Sequence, residues 1–224
     1  MFELYLDTAD AQQVASLNQS LPVFGVTTNP SILAKAGLGV NQALPALAKA
    51  LDGQARFHVQ VVSQTAEAML AEAIKLNALP YDIVVKVPAT RIGLAAIKLM
   101  KAEGITVLAT AIYSVQQGFF AALCGADYLA PYVNRIDAMG ANGIAVVADL
   151  QKLINQQNLA TKLLPASFKN TQQVLDILQL GVASITLPVD IAEQMMSHPA
   201  VQPAVDQFSH DWQESFDDQL SFES

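Results

Sequence analysis

Eight short apolar, β-branched runs recur along this chain, at 3–6, 23–27, 56–61, 83–87, 106–109, 128–133, 162–167 and 184–187, and each predicts a buried strand. Between them lie Ala-, Leu- and Gln-rich stretches with helical periodicity, among them 65–77, 92–102, 115–123, 144–156 and 171–180. These stretches close on glycine, as at Gly104, Gly125 and Gly181, and open after Asn29-Pro30-Ser31 or Leu187-Pro188, which is helix punctuation. Strands that alternate with helices pair in parallel, because each helix carries the chain back to the starting edge of the sheet. Eight such units predict a single (β/α)8 TIM barrel domain over residues 1–224, with a doubly wound open sheet as the alternative. The 35–50 stretch leaves room for more than one helix between the second and third strands. Phe208, Trp212 and Phe216 recur at helical spacing and predict a C-terminal helix over 200–220, whose apolar stripe packs on the barrel or on a neighbouring subunit.

The chain is 224 residues long, 52% hydrophobic and 14% charged, which suits one large packed core. A net charge of −8 without a Lys or Arg cluster argues against nucleic acid or an anionic membrane as partner. A small anionic substrate remains compatible, since it needs only two or three local cations. Cys124 is the only cysteine, so no intrachain disulfide forms. No basic segment leads into an apolar stretch at the N-terminus and no apolar run reaches membrane-spanning length, so a cytoplasmic location is expected.

Barrel active sites lie at the C-terminal ends of the strands. The run Asp82-Ile-Val-Val-Lys-Val-Pro88 places Lys86 within a buried strand there. Burial disfavours its ammonium form and would make the amine a nucleophile able to form a Schiff base with a carbonyl. The alternative is a strand-end lysine whose stem packs while its head reaches water. Other polar strand ends are Asp7, Thr27, Thr28, Asn29, Gln60, Thr110, Tyr132, Arg135, Ser167 and Lys169. Alternation puts Tyr5 with Asp7, Val84 with Lys86, Leu108 with Thr110 and Ala130 with Tyr132 on shared strand faces. Asp7-Thr8 equally suits an N-cap for a helix beginning near Ala9 or Asp10, and Asn29-Pro30 suits loop punctuation. His58 sits deeper in its strand and is expected as a satisfied core histidine. His198, His210 and Cys124 show no metal-ligand spacing.

The segments 4–9 (Leu-Tyr-Leu-Asp-Thr-Ala), 25–32 (Gly-Val-Thr-Thr-Asn-Pro-Ser-Ile), 83–88 (Ile-Val-Val-Lys-Val-Pro), 93–98 (Gly-Leu-Ala-Ala-Ile-Lys), 130–137 (Ala-Pro-Tyr-Val-Asn-Arg-Ile-Asp), 166–169 (Ala-Ser-Phe-Lys) and 184–188 (Ser-Ile-Thr-Leu-Pro) together resemble the short transaldolase family. Within it they are most similar to the fructose-6-phosphate aldolase branch. The resemblance runs in order from about residue 3 to about 216.

The resemblance implies a class I aldolase that interconverts fructose 6-phosphate with dihydroxyacetone and glyceraldehyde 3-phosphate, without metal or organic cofactor. Lys86 matches the Schiff-base lysine and Tyr132 the proton-transferring phenol, which a neighbouring ammonium or iminium would draw toward phenolate. Gln60 and Thr110 match residues that hold a shared water. Asp7 and Asn29, with Thr27 nearby, match groups that orient the lysine and the dihydroxyacetone hydroxyls. Arg135, Ser167 and Lys169 match the acceptor-phosphate site. Classical transaldolases, by resemblance, carry glutamate in place of Gln60 and phenylalanine in place of Tyr132, so this pair favours the aldolase. A transaldolase passing a three-carbon unit between sugar phosphates is the first rival, and a non-catalytic sugar-phosphate binder, which needs neither Lys86 nor Tyr132, is the second. Pro165 stands where the family carries a small residue, and with Ile112 it bears on acceptor fit. The acidic tail with Asp217, Asp218 and Glu223 also departs from the pattern. A homodecamer of two five-membered rings is implied, with the C-terminal helix packed on a neighbour.

Overall fold

Parallel pairing governs the whole sheet. The computed structural model describes residues 2–53 and 55–223. Its elements run β1 (Glu3–Asp7), α1 (Ala11–Asn18), β2 (Gly25–Thr27), α2 (Pro30–Ala36), α3 (Val40–Ala50), β3 (Arg56–Gln60), α4 (Ala66–Asn77), β4 (Asp82–Pro88), α5 (Arg91–Ala102) and β5 (Val107–Ile112). They continue as α6 (Val115–Leu123), β6 (Tyr128–Pro131), α7 (Val133–Ala138), α8 (Gly143–Gln156), β7 (Lys162–Leu163), α9 (Thr171–Gln179), β8 (Ser184–Leu187), α10 (Val189–Met196) and α11 (Val201–Phe216). The strands order as β7-β6-β5-β4-β3-β2-β1-β8, with every pair parallel. The β7–β8 seam closes through single bonds: Ser184 Oγ donates to the Leu163 carbonyl at 2.8 Å and Thr186 N–H to the Pro165 carbonyl at 3.1 Å. This is a (β/α)8 barrel.

The expected seventh strand, 162–167, shortens to Lys162–Leu163. Leu164 and Ala166 N–H still donate to the Leu129 and Pro131 carbonyls, at 2.7 and 3.0 Å, so pairing with β6 continues irregularly until Ser167 turns to φ +64°. Two helices, α2 and α3, fill the long second connection.

Alternation along the strands sorts side chains into two shells. Tyr5, Val84, Leu108, Tyr128, Ala130 and Leu164 fill the barrel interior. Leu6, Val26, Phe57, Val59, Val85, Val87, Ala109 and Leu129 face outward and pack beneath the helices with Val14, Leu47, Ile97, Leu150 and Ile177. Behind the Lys86 strand, α5 begins with Thr90 as its N-cap, whose Oγ1 accepts from Gly93 N–H at 3.0 Å. A side chain at Gly93 would collide with the Pro88 carbonyl, so this glycine allows α5 to seat against the end of β4.

The lower, N-terminal end of the barrel buries a polar network. Glu3 accepts hydrogen bonds from Tyr5 and Tyr128, both at 2.9 Å, and from Lys162 at 2.7 Å. Arg56 donates to Tyr128 Oη at 2.7 Å and pairs with Asp82 at 2.9 Å. By contrast, α11 has no buried residue: Phe208 is exposed, and Trp212 stacks on Phe216 at 4.5 Å within the helix. The apolar stripe expected over 200–220 therefore finds no cover on its own barrel.

Candidate active site

Lys86 lies on the inner face of β4, one layer above Val84, and is 5% exposed. Its Nζ donates to the Thr28 carbonyl at 2.6 Å, and it forms no ion pair among the described residues. Burial lowers its pKa, and the negative charge of Asp7 opposes that shift only in part. The amine opens into a cavity of about 190 Å³. At about 30 Å³ per water, that is room for some six waters or one small sugar fragment.

The cavity is lined by Asp7 from β1, Thr27 and Asn29 from the end of β2, Thr110 from β5, Tyr132 and Arg135 beyond β6, and Ser167 after β7. Its apolar floor is Leu108, Ala130 and Leu164, with Phe168 and Pro188 on the walls. Two expected site residues do not border this cavity. Gln60 pairs in register with Lys86, but it lines a separate pocket with Pro30, Ser63, Thr90 and Arg91. Lys169 is exposed, and only its backbone N–H is engaged, by Gln173.

Tyr132 Oη and Thr110 Oγ1 share a hydrogen bond of 2.8 Å. The Arg135 guanidinium stacks over the Tyr132 ring at 4.7 Å, and Tyr113 meets that ring edge-on at 5.6 Å. Burial raises the phenol's pKa, and Thr110 and Arg135 offset only part of this. The balance of these effects favours the neutral phenol.

Asp7 is no helix cap. Asp10 caps α1 instead, accepting from Gln12 and Gln13 N–H at 2.9 and 3.1 Å. Asp7 Oδ1 accepts from Thr27 Oγ1 at 2.6 Å. Because Thr27 has spent its one hydroxyl hydrogen there, the 2.7 Å contact with Thr186 is a donation from Thr186. Asn29 serves twice: its Oδ1 caps α2 at Ile32 N–H, 3.0 Å away, and its side chain borders the cavity.

Ile112 and Pro165 do not border the cavity. Ala111 adopts φ +57° within a register shift of β5, and this bulge turns Ile112 outward into the shell beneath the helices. His58 is buried as expected, but neither ring nitrogen finds a hydrogen-bond partner among the described residues.

Residues 4–224 match the family described as Transaldolase/Fructose-6-phosphate aldolase. The chain belongs to this family. Its members are enzymes of the class I aldolase and transaldolase type, and a buried amine facing a polar cavity is what such chemistry requires. Solved structures share the fold at low identity. Thiamine phosphate pyrophosphorylase from Pyrococcus furiosus is 15% identical with a TM-score of 0.57, over 87% of this chain and 94% of that one. A putative isomerase from Sinorhizobium meliloti is 13% identical with a TM-score of 0.61, over 86% and 53%. A native KDPGal structure is 15% identical with a TM-score of 0.54, over 84% and 82%.

For a transaldolase-family site, three contributors escaped sequence reasoning. Thr186 shares the inner parity of Ser184 on β8, and alternation would have found it. Tyr113, edge-on to Tyr132, sits past the bulge where alternation fails. The Thr28 carbonyl is backbone and leaves no residue signature.

Proposed function

We propose that this enzyme reversibly cleaves fructose 6-phosphate to dihydroxyacetone and glyceraldehyde 3-phosphate through a Schiff base on Lys86. The observation that carries this reading is a lysine 5% exposed, free of any carboxylate contact, in a cavity that the Tyr132 phenol shares. In the synthetic direction the Nζ lone pair attacks the ketone carbon of dihydroxyacetone, and the ketone oxygen takes up a proton. That oxygen then leaves as water with a second proton, giving an iminium. The cationic nitrogen acidifies the adjacent carbon, and loss of one proton there gives a neutral enamine. The enamine carbon bonds to the aldehyde carbon, whose oxygen takes a proton, and water hydrolyses the regenerated iminium. Cleavage is the reverse.

Tyr132, neutral and held by Thr110, supplies the hydrogen that the aldehyde oxygen takes and recovers it in cleavage. The Asp7 charge, which acts on Lys86, favours the cationic iminium. Asn29 and the Thr27–Thr186 pair face the donor hydroxyls, and Arg135 with Ser167 suits the acceptor phosphate. Gln60, paired in register with Lys86, would hold the shared water with Thr110, and Lys169 would reach the acceptor phosphate from the rim.

Borohydride with dihydroxyacetone should leave a reduced adduct on Lys86, and fructose 6-phosphate alone should release free dihydroxyacetone. No adduct would sink the reading. Turnover only when an acceptor aldehyde is added would make the protein a transaldolase.

We further propose a homo-oligomer, as the resemblance to decameric relatives implies, working in the cytoplasm, with α11 covered by a neighbouring copy. Supporting this are the exposed Val201, Val205, Phe208 and Phe216 on a helix that buries nothing on its own barrel. Truncation after Met196 should shrink the particle measured by light scattering, and an unchanged mass would count against it.

A further inference from the structure

We infer that Thr28 is a positioning residue: its backbone carbonyl, clamped to His58, aims the Lys86 amine at the substrate carbonyl and then receives the single N–H of the iminium. The Lys86 Nζ donates to Thr28 O at 2.6 Å. The Thr28 residue is itself tied twice to one atom, since its N–H and its Oγ1 both donate to the His58 carbonyl, at 2.9 and 3.1 Å. Thr28 is 3% exposed and His58 0%, and the His58 ring is wedged edge-on between Tyr5 and Tyr128 at 4.7 and 5.4 Å. The anchor is therefore a strand carbonyl whose own side chain is locked in the barrel core.

The hydrogen count explains what this clamp does. A neutral amine has two N–H bonds and one lone pair, so fixing one N–H restricts where the lone pair points. When the C–N bond forms and water leaves, the nitrogen keeps one hydrogen, and the same carbonyl accepts it. A carboxylate in this place would hold the lysine as an ammonium and quench it, whereas a carbonyl orients the nitrogen without carrying a full charge. Asp7, whose carboxylate accepts from Thr27, is kept off the amine.

The inference rests on Lys86 being the nucleophile, so its test uses a probe that needs no aldol step. Acetylacetone condenses with a reactive lysine to a light-absorbing enaminone, with loss of one water. Its rate on the intact protein, followed against pH and mapped by peptide mass, reports the amine directly, with Lys86→Met as the blank. Thr28→Val removes the hydroxyl tie at nearly constant volume. We expect unchanged thermal unfolding, a plateau rate about tenfold lower from misorientation, and a midpoint moved to lower pH, because a loosened carbonyl stabilises the ammonium less. Thr28→Ser, which keeps the hydroxyl, should restore the plateau.

An unchanged plateau in Thr28→Val overturns the inference. So does a lower plateau with the midpoint moved to higher pH, the signature of water entering around the amine. If Thr28→Val fails to fold, an ester in place of the Thr28–Asn29 peptide weakens the same carbonyl with the side chain intact, and again an unchanged plateau overturns it. Absence of labelling at Lys86 in the wild type overturns the proposed function as well, whereas labelling indifferent to Thr28 overturns this inference alone.

Discussion

At the lower end of the barrel the Glu3 carboxylate takes hydrogen bonds from Tyr5, Tyr128 and Lys162, while at the upper end the one partner of the Lys86 amine among the described residues is the Thr28 carbonyl. Each of the two residues is 5% exposed, so depth does not separate them. Partnership does. Burial raises the Glu3 pKa, but the bonds from Lys162, Tyr5 and Tyr128 outweigh it, and the net shift is downward, toward the charged form. Lys86 has no comparable compensation, and its pKa falls toward the neutral form. One end of the fold uses buried charge to hold its strands together, and the other leaves a base reactive at some cost in stability.

The sharpest way to break this comparison is Lys86→Met. Borohydride trapping and cleavage of fructose 6-phosphate should fall to background, since no other amine lines the cavity. Removing a buried amine that has no ion-pair partner among the described residues should leave denaturant stability equal or about 1–2 kcal/mol higher. A variant that is inactive because it is unfolded would refute the assignment of the upper end to chemistry.

Tyr132→Phe comes next. It keeps the ring under Arg135 and removes only the hydroxyl shared with Thr110. Cleavage should drop by about 10²–10⁴-fold, while the Lys86 adduct still forms. Equal loss of adduct and cleavage would mean that the phenol shapes the cavity rather than moving a proton.

These differences were unevenly legible in the sequence. Lys86, Asp7, Thr110 and Tyr132 stood out because a polar residue at the end of an apolar strand has few structural reasons to be there. Alternation held wherever the strands are regular, and it failed at Ala111, where positive φ inserts a bulge and turns Ile112 outward. Gln60 and Lys169 do not border the Lys86 cavity, because parity fixes the face of a residue within a ladder but not its direction where the ladder ends. The lower network was invisible for a different reason. Glu3, Arg56 and Lys162 begin their strands, where a charged residue reads as a solvated strand start, and only closure of the barrel brings them together. The Thr28 carbonyl shows the limit, because a backbone acceptor is the same for every residue type.

Glu3→Gln tests the lower end. The amide cannot serve as a charged acceptor, and Lys162, Tyr5 and Tyr128 lose part of their partnership. Lys162 is half exposed and regains water, so the loss is discounted to about 2–3 kcal/mol, read by urea unfolding. The adduct yield per folded molecule should not change. A stable Glu3→Gln variant, or one that is folded but inactive, would dissolve the division between the two ends.

The smallest effect is also the most diagnostic, because both ends make stability rise with pH but in separate windows, acidic for Glu3 and alkaline for Lys86. Glu3 has a folded pKa below its ordinary value of 4.5. Its contribution is complete above that value and is lost as pH falls through the folded pKa, since the unfolded chain takes up the proton first. Lys86 has a folded pKa below its ordinary 10.5. Between those two values the unfolded chain holds a proton that the folded chain lacks, so stability rises with pH and the penalty of burying the lysine fades as 10.5 is approached. The stability gap between Lys86→Met and the wild type should therefore narrow as pH rises from the folded pKa of Lys86 toward 10.5, and Glu3→Gln should show no such trend there. A gap constant with pH would mean that Lys86 is protonated in the folded enzyme throughout, and the upper end would then hold a cation and not a nucleophile.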